Sequence, residues 1–111
     1  MKTEQTTLIT SIVAAVDLSA SKNLFIGFSG AICTVDAKAL GVLNDDTPLG
    51  EQAPVAVSGI ALVVTGGAIA LGVAVSSDAA GKAVTGVAGF VNGYSLDSAS
   101  AANQLIRIKL V

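Results

Sequence analysis

Short apolar runs separated by turn residues make up the chain from end to end. Residues 6–16, TTLITSIVAAV, begin as an alternating run of β-formers (Thr6, Thr7, Ile9, Thr10, Ile12, Val13) and predict a strand. A polar connection over 17–23 leads to a strand at 24–28 that ends at Ser29-Gly30, and 31–35 pairs back on it as a hairpin. Residues 39–43 run into Asn44-Asp45-Asp46-Thr47-Pro48-Leu49-Gly50, whose Asn, Asp, Pro and Gly mark the clearest loop in the chain. Two strands follow, 53–57 and 60–64, divided by Ser58-Gly59, and Thr65-Gly66-Gly67-Ala68 supplies the next reversal. Strands at 73–76 and 83–85 flank a hairpin tip at Asp78-Ala79-Ala80-Gly81. The last hairpin pairs 90–98 with 104–111 across 99–103, where Asn103 suits a left-handed turn conformation. Ile106-Arg107-Ile108-Lys109-Leu110 alternates strictly, so three aliphatics face inward and two cations outward.

Turn signals recurring about every eight to twelve residues, with Val, Ile and Thr between them, predict an all-β fold: a small single-domain β-barrel or sandwich of short antiparallel strands. With 111 residues the chain is one domain, divided here into a polar N-terminal arm, 1–7, and a β domain, 8–111. Hydrophobic residues are 52% of it, yet the aromatics are only Phe25, Phe28, Phe90 and Tyr94 and Trp is absent, so the core is thin and aliphatic. A net charge of −2, with Lys2, Lys22, Lys38, Lys82, Arg107 and Lys109 scattered, offers no basic stripe and argues against a nucleic-acid partner. Cys33 is alone and His is absent, which removes an intrachain disulfide and a Cys/His zinc set; Cys33 reads as a small buried hydrophobe. The polar start lacks the basic-then-apolar order of a secretory signal.

Four patterns invite a chemical reading. Gly81-Lys82 would suit a phosphate loop, but Ser76 stands where the first Gly is needed and Ala83 where the magnesium-binding hydroxyl is needed. No Gly-x-Gly-x-x-Gly occurs, so the dinucleotide fingerprint is missing too. The stretch 52–77 carries no charge and exceeds the roughly 20 residues of a membrane helix, but Pro54, Gly59, Gly66, Gly67, Gly72 and many β-branched residues favour strands. Asp45-Asp46 resembles an acid pair, and its turn context beside Pro48 makes it a solvated loop. Without His there is no conventional nucleophile–base pair, and no residue is nominated as catalytic, as a metal ligand or for a cofactor. Lys82 on a hairpin tip is the position at which biotinyl and lipoyl carrier domains present their modified lysine, although those have Asp or Met before it and here Gly81 precedes it. A small membrane-associated protein and a lysine-modified carrier are therefore the alternatives.

Several stretches taken in order carry a resemblance: Asn23-Leu24-Phe25-Ile26-Gly27-Phe28-Ser29-Gly30; Leu40-Gly41-Val42-Leu43 with Gly50-Glu51-Gln52-Ala53-Pro54-Val55-Ala56-Val57; Gly66-Gly67-Ala68-Ile69-Ala70-Leu71-Gly72 with Ser77-Asp78-Ala79-Ala80-Gly81-Lys82-Ala83-Val84; and the closing run from Ser95 to Ile108. From about Leu8 onward the chain resembles the capsid cement, or head decoration, proteins of tailed bacteriophages. It departs from them at Val73, where an acidic residue is frequent, and at Asn103, where Gly is frequent. The resemblance implies a non-enzymatic virion protein on the outer capsid surface, made in the bacterial host cytoplasm, needing no cofactor. Its partner would be the major capsid protein, whose subunits it bridges, commonly as a homo-oligomeric dimer or trimer; no nucleic-acid or membrane partner is expected. Capsid contacts are expected from the arm, Met1, Lys2, Thr3, Glu4, Gln5, Thr6 and Thr7, and from the loop residues Asp45, Asp46 and Pro48.

Overall fold

The computed structural model describes residues 2–86 and 90–111, which form eight strands and no helix. They are β1 (Gln5–Val13), β2 (Phe25–Ile26), β3 (Gly41–Leu43), β4 (Gln52–Val64), β5 (Ala74–Ser77), β6 (Ala83–Thr85), β7 (Gly93–Ser95) and β8 (Leu105–Leu110). One sheet runs β2-β3-β4-β8-β7-β5-β6, with every neighbouring pair antiparallel, while β1 lies along the other side of β4. The two ends of the sheet meet where Phe25 N of β2 donates to Gly81 O, just before β6, at 2.7 Å, and a parallel bridge from Thr65 to Ala83, with Gly66 N donating to Ala83 O at 2.7 Å, seats β6 against the end of β4. The result is an antiparallel barrel that is nearly closed, as the alternation and turn spacing predicted.

The expected pair of strands at 53–57 and 60–64 is in fact one, β4, and Gly59 sits inside it with φ 93°. The break read at Ser58-Gly59 is a change of face instead of a turn. Ahead of Gly59, Ala53, Val55 and Val57 belong to a small cluster with Ala14, Leu18, Ile26 and Leu43, while Ala56 faces a larger one. Uninterrupted alternation would put Ala61 and Val63 on the side of Val55. They line the larger cluster instead, together with Phe25, Val42, Val75, Ile106 and Ile108. A residue in this left-handed conformation inserts the irregularity that resets strand parity, and the β1–β4 register shifts on either side of Leu8, opposite this place.

Elsewhere the strands are shorter than expected because loops take over their ends. Of 24–28 only Phe25–Ile26 is strand, and 31–35 pairs back on it as a short hairpin arm, through the antiparallel bridge Ile26 to Ile32, Gly27 N donating to Ala31 O at 2.9 Å and Cys33 N to Phe25 O at 3.0 Å. The predicted strand over 90–98 is strand only at β7. The N-terminal strand begins at Gln5, so Gln5 and Thr6 of the polar start are already paired with β4, while Thr7 lies in β1 at a register shift. Asn103 has φ 65°, and Ile106, Ile108 and Leu110 are buried while Lys109 is exposed, as the strict alternation required.

Buried polar residues tie the loops to this frame. Asn92, 2% exposed, accepts from Ala39 N at 2.9 Å and donates to Ala37 O at 3.1 Å, holding the segment before β3 against the start of β7. Thr65 Oγ1 donates to Ala101 O at 2.9 Å and accepts from Gln104 N at 3.0 Å, which closes the turn before β8.

Two predictions follow from this packing. A Cβ on Gly59 would lie 2.5 Å from Gln5 O and 2.8 Å from Thr7 N, whereas at Gly50, also at positive φ, it would meet nothing within 4 Å. Gly59→Ala therefore combines backbone strain with collision, and urea denaturation should show it at least about 1 kcal/mol more destabilised than Gly50→Ala. Asn92→Ala leaves a buried N–H and a buried C=O unpaired and should cost about 1–3 kcal/mol in the same assay.

Candidate functional site

The polar start does not hang free. From β1 it crosses the outer face of the barrel, where Lys2 Nζ donates to Leu105 O at 2.9 Å. The Asn44 amide nitrogen, in the orientation that satisfies both groups, donates to the Glu4 carboxylate at 2.8 Å. Between this segment and the sheet lies an open groove of about 410 Å³ lined by Lys2, Thr3, Glu4, Lys22, Asn23, Leu62 and Leu105. The loop after β3 reaches the same side: Lys22 N donates to Asp46 Oδ1 at 2.8 Å, and Asp46 N to Asp45 Oδ1 at 2.9 Å.

The structure thus brings together Lys2, Thr3 and Glu4 with the 44–46 end of the loop. Gln5, Thr6 and Thr7 are held in β1, and Pro48 is exposed at the far end of the loop, where Gly50 N donates to Ala14 O. Met1 lies outside the described residues. Lys22, Asn23, Leu62 and Leu105 were not singled out from the sequence. Leu105 and Leu62 carried a signal nonetheless: each belongs to the outward-facing set of an alternating strand, and Leu105 is 41% exposed. Nothing in the order of residues placed Lys22 and Asn23 beside them.

The Gly81-Lys82 tip resolves as a self-contained turn. Asp78 Oδ1 accepts from Ala80 N and Lys82 N, both at 2.9 Å, and Asp78 N donates to Lys82 O at 2.8 Å. The amides a phosphate would need are occupied by a carboxylate, which would also repel an anion. Lys82 Nζ donates to Asn103 Oδ1 at 2.7 Å, linking this tip to the turn before β8. The uncharged stretch 52–77 divides into β4 and β5, and among the described residues no helix is long and apolar enough to cross a membrane.

Cys33 is 1% exposed, and burial raises its thiol pKa, so it stays protonated and packs as a core residue. Among the described residues no group of three or more His, Cys, Asp or Glu could hold a metal ion. Lys38 spans two loops by donating to Val111 O at 2.9 Å and Val91 O at 3.4 Å, and desolvation lowers its pKa. On the outer face of β8, Arg107 grips Asp97 through Nε–Oδ2 and Nη2–Oδ1, each 3.0 Å, while Arg107 N donates to Oδ2 at 3.0 Å. Hydrogen bonds from Arg107 hold the Asp97 carboxyl at about 2, below its ordinary 3.8.

What this surface offers is contact area. Large apolar side chains stand in solvent at Leu8, Ile9 and Val13 on β1 and at Phe28, Leu49, Leu71 and Phe90 in loops. A small antiparallel barrel with polar and aliphatic surface patches offers surface for binding and no assembled catalytic centre among the described residues. The chain belongs to the phage cement protein family, whose model matches residues 3–110. It is accordingly a capsid-associated structural protein of the phage virion. Among solved structures, the N base of the head fiber gp8.5 of bacteriophage phi29 matches with a TM-score of 0.76 and 18% identity, covering 94% of this chain and 95% of that one. At that identity the likeness establishes the shared fold. No curated protein matches the sequence.

The Asp97–Arg107 clamp makes a pH prediction. Because the folded-state pKa of Asp97 is depressed, its stabilising effect is complete above about pH 4 and is lost as pH falls through about 2. Thermal melts from pH 5 to 2 should therefore show a shallower acid loss for Asp97→Asn than for the wild type.

Proposed function

We propose that the protein is a capsid cement: it binds the outside of the assembled phage head and bridges neighbouring major capsid protein subunits. The observation that carries this reading is a cement-family match spanning residues 3–110, the whole barrel instead of one motif. The physical character of the chain supports it. The larger cluster includes Ala39, Ala56, Ala61, Ala83 and Ala99, so little apolar area is gained per residue on folding. Burying exposed aliphatics against a shell supplies stability that the isolated chain lacks. Many weak contacts repeated over a lattice then add through avidity.

The contact surface in this proposal is the side where Lys2, Thr3 and Glu4 meet Asp45 and Asp46, with Pro48 at its margin. Gln5 and Thr6 contribute side chains only, because their backbone is engaged with β4, and Thr7 joins them in β1 with its hydroxyl bonded to Ser58. Assembly as a homo-oligomer, synthesis in the host cytoplasm and addition to the head from outside complete the reading.

Co-sedimentation with emptied, expanded heads tests it: saturable binding is expected, and absence of binding overturns it. Deleting residues 1–4, which spares β1, should weaken binding by about fivefold or more as each repeated contact is lost. Equal occupancy by the full and shortened chains would remove the arm from the contact surface.

A further inference from the structure

Four asparagines occur in the chain, at 23, 44, 92 and 103, and only Asn92 is followed by glycine. That dipeptide is the chemically labile one. With no Cβ on the second residue, its backbone nitrogen swings freely onto the asparagine side chain and attacks the amide carbon. A C–N bond forms between Gly93 N and Asn92 Cγ, and Asn92 Nδ2 leaves as ammonia. The cyclic imide that results then opens by adding water at either carbonyl. Asparagine and water thereby become aspartate, or an isoaspartyl link, and ammonia, with nothing oxidised or reduced.

The fold blocks this reaction at both reacting groups. Asn92 is buried and its amide is committed to the segment before β3: Oδ1 accepts from Ala39 N and Nδ2 donates to Ala37 O. Asn92 N donates to Val75 O at 2.8 Å, and Gly93 sits between Val75 of β5 and Leu110 of β8. Ring closure requires the side chain to leave the loop and the peptide to leave the sheet together. The fold also requires both residues. A Cβ at 93 would lie 2.8 Å from Lys109 O and 3.2 Å from Ile108 Cδ1, and position 92 needs a group that accepts and donates at once. Neither product meets that need. A carboxylate at 92 still accepts from Ala39 N but sets a buried, charged oxygen against Ala37 O. An isoaspartyl link lengthens the main chain by a methylene group and throws β7 out of register with β5 and β8.

We propose that Asn92-Gly93 is a deamidation site controlled by folding. It stays intact while the barrel is closed, converts once the chain unfolds, and after conversion prevents the same barrel from being rebuilt. Unfolding is reversible only for as long as Asn92 survives, so the working life of the protein is set by how rarely it opens. The modification belongs to the isolated chain and does not depend on head binding, so each proposal can fail alone.

Peptide mapping by mass spectrometry tests it on the full chain, held at neutral pH either native or in urea, and reads the change from amide to acid at residue 92. In urea Asn92 should convert ahead of Asn23, Asn44 and Asn103. Native protein should convert at least about a hundredfold more slowly, since only its small unfolded fraction reacts. Gly93→Ala, compared in urea where its collision with Lys109 is not at issue, should slow conversion by about tenfold because the added Cβ hinders the attacking nitrogen. On dilution from urea the recovered native fraction should fall in step with conversion. Asn92→Asp, which is one product made directly, should show the same loss. Conversion as fast in the native protein as in urea, conversion in urea no faster at Asn92 than at the other asparagines, or full refolding of converted chains each overturns the proposal.

Discussion

A single glycine in the middle of the longest strand lets one chain of this size build two cores. Gly59, at φ 93°, changes which way β4 faces, so its first half covers the small cluster around Leu18 and Leu43 and its second half lines the barrel around Ile106 and Ile108. The same close approach lets the start of β1 lie against β4, within van der Waals distance of a Cβ that is absent. With β1 on one side of β4, and β3 and β8 sharing the other, the sheet turns far enough for β6 to reach Thr65. Closure and the two clusters both depend on that conformation.

Loops in this barrel are tied down by hydrogen bonds from buried polar side chains. Asn92, Thr65 and Asp78 each satisfy main-chain groups that aliphatic side chains could not; Asn92 and Thr65 do so between segments distant in sequence, and Asp78 within its own turn. A thin core of Ala and Val bounded by such ties gives a fixed surface at low mass. That is the property a cement protein needs, because repeated weak contacts reinforce one another only when their geometry is the same in every copy.

Much of the sheet could be read from local pattern. The hairpin of β5 and β6, the pairing of β7 with β8, the left-handed Asn103 and the two faces of β8 follow from alternation and turn chemistry, which act within a few residues. The reading failed where long-range contact overrides those signals. Ser58-Gly59 has the composition of a turn and is a reset inside a strand, because β1 and β8 continue to supply backbone partners on both sides of it. Residues 90–98 read as one long strand, yet only Gly93–Ser95 is strand, and at its start Phe90 N donates instead to Asp36 O in a loop. In the candidate surface, Glu4 and Asp46 were legible as polar residues in irregular segments, whereas Lys22, Asn23, Leu62 and Leu105 join them only once four separate segments converge.

By itself the sequence determined the class of fold, the thinness of the core and the lack of histidine-based chemistry. These depend on composition and on periodicities of two residues, which a linear pattern records directly. Tertiary structure alone decided which face each half of β4 presents and that β1 lies against it. Those outcomes depend on pairing between residues about 20 to 60 positions apart, and such pairing is selected by the closure of the whole sheet instead of any local preference.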